Sequence, residues 1–299
     1  VGSVLIPLLL ESSCSVRVVD RLLFGGHGLI PYFINPRFQF VQGDIRDERT
    51  MAEAVKGVDA IIHLAAIVGF PACKKDPHLA ETTNFEGTVL LNKLRDKSNV
   101  PIIMASTGSN YGYVADGICR EDTPLNPLTI YGTTKTRAEQ HLLDAGNVVI
   151  YRYATAFGLS PRLRLDLLIN DFVFTALSKN FLLIYEKDFK RTFIHVRDMA
   201  RSFVFALDHV DKMKDNIYNV GNEMLNLSKA DVAEYLKTKF DYFLEYADTG
   251  SDPDQRNYEV DYSKIRKAGF HTTIGFEDGV DELIRGLKMI EIHNPYSNV

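Results

Sequence analysis

The stretch Pro101-Ile102-Ile103-Met104-Ala105-Ser106-Thr107-Gly108-Ser109 decides the fold. Its first five residues are apolar, as is typical of a strand buried on both faces of a sheet. The run then ends in hydroxyl side chains at Ser106, Thr107 and Ser109. At the carboxyl end of a parallel strand, such side chains face the ligand crevice of an open α/β sheet. We therefore predict that Thr107 and Ser109 lie in a binding site.

Similar short strands recur through the first half of the chain and alternate with helical patterns. We predict further strands at 16–20, 38–42, 60–64 and 148–152, and helices at about 47–56, 79–97 and 131–145. This alternation predicts a parallel sheet covered by helices on both faces and joined by right-handed crossovers. The fold class is therefore α/β, with a doubly wound parallel sheet.

After Gly158 the alternation loosens, which predicts a second, smaller lobe. Pro161-Arg162-Leu163-Arg164 is expected to open a helix that runs to about Lys179. We predict that the main domain comprises 1–158 together with about 192–222. The segments 159–191 and 223–299 are expected to form a mixed α/β lobe that binds the substrate.

Tyr131 and Lys135 are four residues apart, so a helix places the ammonium group one turn from the phenol. A nearby cation stabilises phenolate over phenol. Lys135, helped by a positively charged nicotinamide, would therefore lower the pKa of Tyr131 from about 10 toward neutral pH. A pair tuned in this way suits the acid–base chemistry of a dehydrogenase.

Tyr235 and Lys239 have the same spacing but a different context. They lie in an amphipathic stretch rich in lysine, and we predict that Tyr235 belongs to a solvent-facing helix surface. Tyr131 instead follows the hydroxyl-rich end of the strand at 101–105, and it is the preferred catalytic candidate.

The first residues, from Val1 onward, read as the start of a buried helix. If Gly2 is the third glycine of a G-x-x-G-x-x-G turn, about ten residues including a strand precede Val1. Asp20 closes the strand at 16–20, about 20 residues past such a turn, where a carboxylate can bind the adenosine ribose hydroxyls. Its charge would repel a 2′-phosphate, which favours NAD over NADP. Arg21 keeps NADP open, and a simple turn role for Asp20 is the alternative.

Composition excludes several function classes. The chain has 299 residues, 45% of them hydrophobic, and a net charge of −5, so a large core and no nucleic-acid partner are expected. Three widely spaced cysteines suit a reducing cytoplasm and fit neither a disulfide framework nor a zinc site, so we expect no metal. The longest apolar run is too short to cross a membrane.

Nine motifs recur in an order that resembles a known family: Asp20, 43–47, 63–66, 84–88, 106–107, 131–135, 152–153, 191–196 and 218–221. Together they resemble the extended short-chain dehydrogenase/reductases, specifically the nucleotide-sugar epimerase/dehydratase group. The resemblance covers nearly the whole chain. It implies a Rossmann-type sheet, NAD as cofactor and a homodimer formed through helices 84–97 and 131–145.

The resemblance also implies roles for individual residues. Asp44 and Ile45 should flank the adenine, and Asn84 should support the active-site backbone. His63 is expected to be a packed strand-end histidine rather than a base. The predicted cofactor-binding residues are Gly2, Asp20, Asp44, Ile45, Leu64, Ala65, Ala66, Asn84, Tyr131, Lys135 and Tyr153.

The residues after the predicted catalytic threonine, Thr107, separate the subfamilies. Sugar 4,6-dehydratases of this group carry an Asp-Glu pair there, whereas this chain has Gly108 and Ser109. Neither can act as that acid/base pair, so dehydration is disfavoured. The 3,5-epimerases use a cysteine at the position of Ser109. The remaining set, Thr107, Tyr131 and Lys135, resembles that of UDP-galactose 4-epimerase and its relatives.

By this resemblance, the substrate is a nucleoside diphosphate sugar whose C4 is transiently oxidised. Arg191 and Arg256 would contact the diphosphate, and Ser109 and Thr155 the sugar. Thr155 stands where the epimerase pattern has asparagine, so the substrate contacts are altered. The alternatives are an NAD(P)H-dependent reductase of a nucleotide-linked keto-sugar or other small carbonyl compound, and a non-catalytic dinucleotide-binding regulator. Cys73, in an apolar loop expected near the sugar, is predicted to be a packing residue.

Overall fold

A computed structural model describes residues 1–96, 100–112, 114, 117–247 and 257–290. Its helices are α1 (Gly2–Glu11), α2 (Glu48–Ala54), α3 (Phe70–Lys75), α4 (Pro77–Glu81), α5 (Gly87–Leu94), α6 (Ile130–Ala145), α7 (Leu168–Lys179), α8 (Val196–Asp208), α9 (Val210–Met213), α10 (Lys229–Lys237), α11 (Ser263–Lys267) and α12 (Phe276–Met289). Its strands are β1 (Val16–Asp20), β2 (Phe38–Gln42), β3 (Ile61–His63), β4 (Ile102–Thr107), β5 (Ile118–Cys119), β6 (Val148–Tyr153), β7 (Thr155–Phe157), β8 (Phe181–Tyr185), β9 (Lys190–His195), β10 (Asn216–Val220), β11 (Asn226–Ser228), β12 (Phe243–Ala247) and β13 (Glu259–Val260).

Parallel strands form the centre of the molecule. Four of them are hydrogen-bonded in the order β10-β6-β4-β3, and β1 and β2 form a separate parallel pair. The strands predicted from the sequence are all present, although β3 is shorter than expected. The predicted α/β class with a parallel sheet and helical layers is confirmed.

Alternation along the strands assigns side chains to the two faces of the sheet. On β4, Ile103 packs in the core that contains Leu5 of α1 and Phe203 of α8. Its neighbours Ile102 and Met104 pack in a second core, with residues of α5 and α6. The sheet is therefore covered by helices on both faces, which places the carboxyl end of β4 beside the first turn of α6.

A third apolar core belongs to the later part of the chain. It draws on α7, β8, α10 and α12, with Phe157 and Phe193 contributed from strands next to the main sheet. The strands β8 and β12 pair in parallel beside these helices. This core combines residues from both segments assigned to the smaller lobe, and the exact domain boundaries stay a prediction.

The predicted helix start at Pro161 is wrong, because α7 begins at Leu168. Side-chain hydrogen bonds hold the preceding segment as a loop. Arg164 pairs with Asp166, and the Asn170 amide bonds both the Arg164 carbonyl, at 2.8 Å, and the Gly158 amide, at 3.0 Å. These contacts satisfy backbone groups that a longer helix would have used.

The helix predicted at 79–97 is also divided. It consists of α4, a π-helical turn at Thr82–Glu86 and α5, which ends at Leu94. Residue 97, its predicted last residue, lies outside the described part of the chain. A π-helical turn inserts a residue into the helical ladder and often marks a functional site.

Within the described residues, no helix is long and apolar enough to cross a membrane, and no group of three or more His, Cys, Asp or Glu side chains could hold a metal. Cys14, Cys73 and Cys119 are all free thiols. A cytoplasmic location and the absence of a nucleic-acid partner stay predictions.

Candidate active site

The carboxyl ends of β1, β3, β4 and β6 open into a single cavity of about 1570 Å³. Residues along the whole of β1 and β3 also line it, so it continues into the region between these two strands. Among the residues predicted from the sequence, the following line this cavity: Gly2, Asp20, Asp44, Ile45, Leu64, Ala65, Ala66, Thr107, Ser109, Tyr131, Lys135, Tyr153, Thr155 and Arg191.

Thr107 is the last residue of β4, and its side chain is buried. The strand turns there into a short 3₁₀ segment, because the Thr107 hydroxyl oxygen accepts a hydrogen bond from the backbone amide of Ser109 at 3.1 Å. The same hydroxyl donates to the Ser109 hydroxyl at 3.2 Å. The two predicted hydroxyls therefore form one polar pair at the cavity wall.

Tyr131 lies in the first turn of α6, beside this polar pair. The helix begins where it does because the Thr129 hydroxyl accepts a hydrogen bond from the Gly132 amide at 3.1 Å. Lys135 follows one turn later and is buried. The helix thus presents the phenol and the ammonium group to the same cavity, in agreement with the prediction from their spacing.

Burial governs the ionisation of Lys135. Desolvation of the ammonium group lowers its pKa from 10.5 to about 7, and the negative charge of Glu139 opposes this shift. A cation at Lys135 is needed to stabilise a Tyr131 phenolate. The protein therefore contains a lysine whose charge depends on the groups around it.

Asn84 lies in the π-helical turn and joins three parts of the site. Its amide nitrogen donates to the Ile67 carbonyl at 3.0 Å, and its amide oxygen accepts from the Ile67 backbone nitrogen at 2.7 Å. The amide nitrogen also reaches the Thr134 hydroxyl on α6 at 3.2 Å. Asn84 is not among the residues that line the cavity; it holds the backbone after β3 against the helix of Tyr131.

His63 and Cys73 are both buried, and their assignment as packing residues stays a prediction. His63 Nε2 lies 2.8 Å from the Thr88 hydroxyl oxygen. Burial, and then the charge of Lys135, lower the pKa of His63 to about 3, so this side chain is neutral at ordinary pH. The Cys73 thiol donates to the Ile67 carbonyl, and burial raises its pKa to about 11.

Behind Thr107, a buried ion pair joins the main sheet to α6. The Glu139 carboxylate accepts hydrogen bonds from the Arg152 guanidinium. Arg152 Nε lies 3.1 Å from Oε1 and 3.2 Å from Oε2 of Glu139. Burial lowers the pKa of Arg152, but the hydrogen bonds and the charge of Glu139 outweigh burial and raise it above its usual range. Glu139 Oε2 also accepts from the Ser106 hydroxyl at 2.8 Å and from the Asn110 amide at 3.1 Å.

Charged groups cluster at the end of the cavity predicted to hold the adenosine. Asp20 is exposed, and its carboxylate accepts a hydrogen bond from the Leu22 amide at 2.7 Å. Asp44 pairs with Arg46 at 2.8 Å and with Arg21 at 3.2 Å. Hydrogen bonds from Arg46 lower the pKa of Asp44. Arg21 is therefore held toward Asp44, and the Asp20 carboxylate remains available at the strand end.

The structure describes three of the four predicted substrate-binding residues. Arg191 is buried in β9 and lines the cavity, as do Ser109 and Thr155. Arg256 lies outside the described residues. Its neighbour Tyr258 is described, and its hydroxyl lies 3.3 Å from the point where a Cβ on Gly108 would be.

Two tyrosines differ from what the sequence suggested. Tyr153 borders the cavity, but its hydroxyl lies 2.6 Å from the Ser202 hydroxyl inside the core, so its polar end does not face the predicted cofactor. The solvent-facing position predicted for Tyr235 is wrong, because this residue is half-buried and its ring packs against Phe276 in the small-lobe core. It does not line the cavity.

Sequence reasoning missed several cavity residues, notably Arg162, Arg164, Lys229 and Tyr258. The first two stand in the loop that the sequence predicts as a helix start, and their spacing gives no sign that they reach the cleft. Glu139 was also missed. Its position eight residues after Tyr131, on the helix face of Lys135, is the signal that would have indicated it.

The site geometry agrees with comparisons to known proteins. The model of the NAD dependent epimerase/dehydratase family matches residues 1–221. This chain belongs to that family. It is therefore an enzyme of an NAD-dependent family, as the ordered motifs indicated.

The chain is also similar to curated relatives and solved structures. The chain is 30% identical to the low-salt glycan biosynthesis protein Agl12 of Haloferax volcanii, over 95% of this chain and 94% of the relative. It is 26% identical to a UDP-glucose 4-epimerase of Lactobacillus helveticus, over 95% and 92%. The UDP-glucuronic acid 4-epimerase of Bacillus cereus, solved with UDP-glucuronic acid and NAD, superimposes with a TM-score of 0.85 at 26% identity, covering 96% of each chain.

The residues present fit NAD. The cleft carries a carboxylate, Asp20, at the end of β1, and the tyrosine and buried lysine of α6, Tyr131 and Lys135. A Cβ added at Gly2 would have a single neighbour within 4 Å, a Leu64 methyl at 3.8 Å, so the first turn of α1 is open to a ligand. Apolar residues after β3, Leu64 to Ala66, provide the remaining wall.

Proposed function

We propose that this chain is a nucleotide-sugar epimerase that acts by transient oxidation at the sugar C4. The observation that supports this most strongly is the arrangement of Thr107, Tyr131 and Lys135 around one cavity, with Gly108 and Ser109 following the threonine. A larger side chain at Gly108 would meet the Tyr258 hydroxyl and the Tyr153 carbonyl, at 3.3 and 3.5 Å from its Cβ. Gly108 and Ser109 carry no carboxyl group, so these two positions lack the acid/base pair that elimination of water needs.

In the proposed mechanism, Tyr131 acts as its phenolate and takes the proton of the C4 hydroxyl. The Thr107 hydroxyl donates a hydrogen bond to the same sugar oxygen, and Lys135 stabilises the phenolate by its charge. When bound, NAD supplies the acceptor and later the donor of the C4 hydride. A 4-keto sugar held only by its diphosphate could turn over about that linkage and present its other face to the cofactor site. Tyr131 then gives its proton back to the C4 oxygen, so proton and hydride balance over the cycle.

Replacing Tyr131 by phenylalanine should lower turnover by roughly 10²–10⁴-fold, because it removes the proton carrier but keeps the ring. Inversion at C4 is followed by NMR on a panel of nucleoside diphosphate sugars. Tyr235→Phe is the matched control and should turn over normally. Normal turnover by Tyr131→Phe would overturn the mechanism, and stoichiometric consumption of added reduced cofactor would indicate the reductase instead.

We further propose that Asp20 binds the adenosine ribose and selects NAD. Asp20→Asn keeps an oxygen acceptor for the Leu22 amide but removes the charge, so it should weaken NAD binding by about 1–3 kcal/mol and strengthen NADP relative to NAD. Calorimetric titration with both dinucleotides measures this change, and Glu53→Ala, an exposed carboxylate outside the cavity, is the control. Tighter binding of NADP than NAD by the unaltered protein would contradict the assignment.

Arg191 and Arg256 are proposed to hold the substrate diphosphate while the sugar turns over. Arg191→Ala should weaken binding of the matching nucleoside diphosphate by about 1.5–3 kcal/mol, because a charge-assisted bond is lost. Titration with UDP, GDP, CDP and dTDP identifies the base. Lys190→Ala removes an exposed cation from the same strand and should bind normally. If the unaltered protein binds none of the four, the nucleotide-sugar substrate is wrong.

We also propose a homodimer through the surface formed by α5 and α6. The outer side of α6 is accessible, with Thr133, Arg137, Gln140 and Asp144 exposed. A twofold axis beside such a helix pair would join four helices. Sedimentation equilibrium should give twice the chain mass of 33.7 kDa, and Gln140→Arg should lower this value. A monomer mass at micromolar concentration would contradict the proposal.

A further inference from the structure

We propose that Glu139 is a positioning residue of this enzyme, which holds the Tyr131 helix against the strand of Thr107 and supplies the counter-charge for Lys135. This proposal rests on the function proposed above for Thr107, Tyr131 and Lys135. It assigns a role to a buried carboxylate that does not line the cavity.

The first part of the proposal follows from the hydrogen bonds of Glu139. Its Oε2 atom accepts from Ser106, which immediately precedes Thr107, and from Asn110, in the turn that follows. Asn110 also donates to the Ser106 hydroxyl at 3.1 Å. One carboxylate oxygen thus binds residues on both sides of Thr107. Any shift of α6 along β4 would break these bonds, so the distance between Thr107 and Tyr131 depends on Glu139.

The second part follows from the charges around Lys135. Glu139 lies one turn further along α6, on the same helix face. From β3, His63 faces Lys135 and is neutral. From β6, Arg152 pairs with Glu139 and adds a second positive charge. Two buried cations, Lys135 and Arg152, therefore share one buried carboxylate.

The remaining partners of Arg152 are uncharged groups. Its Nη1 donates to the Tyr111 hydroxyl at 3.2 Å and to the Glu121 carbonyl at 3.0 Å. Burial raises the pKa of Tyr111, so this phenol stays neutral. The Glu121 carboxylate accepts from the Asn219 amide at 2.8 Å, whereas Glu139 is the carboxylate whose charge opposes the burial of Lys135. Without Glu139, Lys135 would therefore lose its proton more easily.

The test uses the pH dependence of unfolding, because it does not require activity. Lys135 has a pKa of about 7 in the folded chain and 10.5 as its ordinary value. Between these values the unfolded chain holds a proton that the folded chain has lost, so stability rises with pH. Relative to Lys135→Met, the unfolding constant of the natural protein should fall by up to about tenfold per pH unit in this window.

Glu139→Gln keeps the shape of the side chain but removes its charge. For this variant, the pH window of rising stability is measured relative to the double variant Glu139→Gln/Lys135→Met. This window should begin at least about one pH unit lower than the window of the natural protein. The alkaline limb of the pH profile of kcat/KM should also move to lower pH. Glu53→Gln, an exposed charge removal outside the cavity and away from α6, should leave both unchanged. A purely structural role would lower stability equally at every pH, and an unshifted window therefore overturns the proposal.

Glu139→Asp decides the matter if Glu139→Gln does not fold. This variant keeps the charge but shortens the side chain, so the window should stay in place while kcat falls at least about tenfold. Wild-type kcat in Glu139→Asp, or a shifted window, overturns the proposal. If no variant or natural protein shows C4 inversion while the Glu139→Gln window still shifts, the proposed function fails and the charge assignment stands.

Discussion

The buried pair of Glu139 and Arg152 is the interaction on which the arrangement of this site depends. It connects α6, the helix of Tyr131 and Lys135, to β6, and through Ser106 it reaches β4. Arg152 and Tyr111 extend the network further, since the Tyr111 hydroxyl donates to Asn219 of β10 at 2.6 Å. Three adjacent strands of the sheet and one helix are thereby held in a single polar network inside apolar surroundings.

A network of this kind is a poor source of net stability but a strong source of specificity. Removing two charges from water is costly, and well-packed apolar residues in place of a buried ion pair often give the fold equal stability. Breaking such a pair, however, leaves an uncompensated buried charge and costs about 3–5 kcal/mol. Alternative registers of α6 on the sheet are therefore strongly disfavoured. We infer that the network serves the geometry of the site more than the stability of the fold.

The same burial that makes the network costly also lowers the pKa of Lys135. Lys135 is buried deeply enough for its proton to become labile near neutral pH, while His63 behind it stays neutral. A neutral histidine at this position adds no charge that would compete with the lysine. Electrostatic control of the proposed phenolate is thus concentrated in Lys135 and its partner Glu139.

The loop before α7 and strand β9 bring three arginines to the cavity. Arg162 and Arg164 line the cavity from this loop, and Arg191 lines it from β9. Gly158 permits the turn from β7 into this loop: its φ of +106° is a value that residues with side chains rarely adopt, and a Cβ there would lie 2.2 Å from His195. Differences in substrate among the epimerase and dehydratase relatives are expected to arise in such loops, because the sheet itself is shared.

The sequence by itself determined the alternating strands and helices, the placement of Tyr131 and Lys135 one turn apart on a helix, and the family, because these depend on local periodicity and on motifs read in order. It misplaced the start of α7, since side-chain bonds from Asn170 and Asp166 that hold the loop are not visible in a helical pattern. It also missed Glu139, Arg162 and Arg164. Their roles depend on which elements pack together, and only the tertiary structure brings residues 106, 110, 139 and 152 into contact. Burial then sets the charge of Lys135, which no spacing along the chain can determine, because desolvation is a property of the folded surroundings.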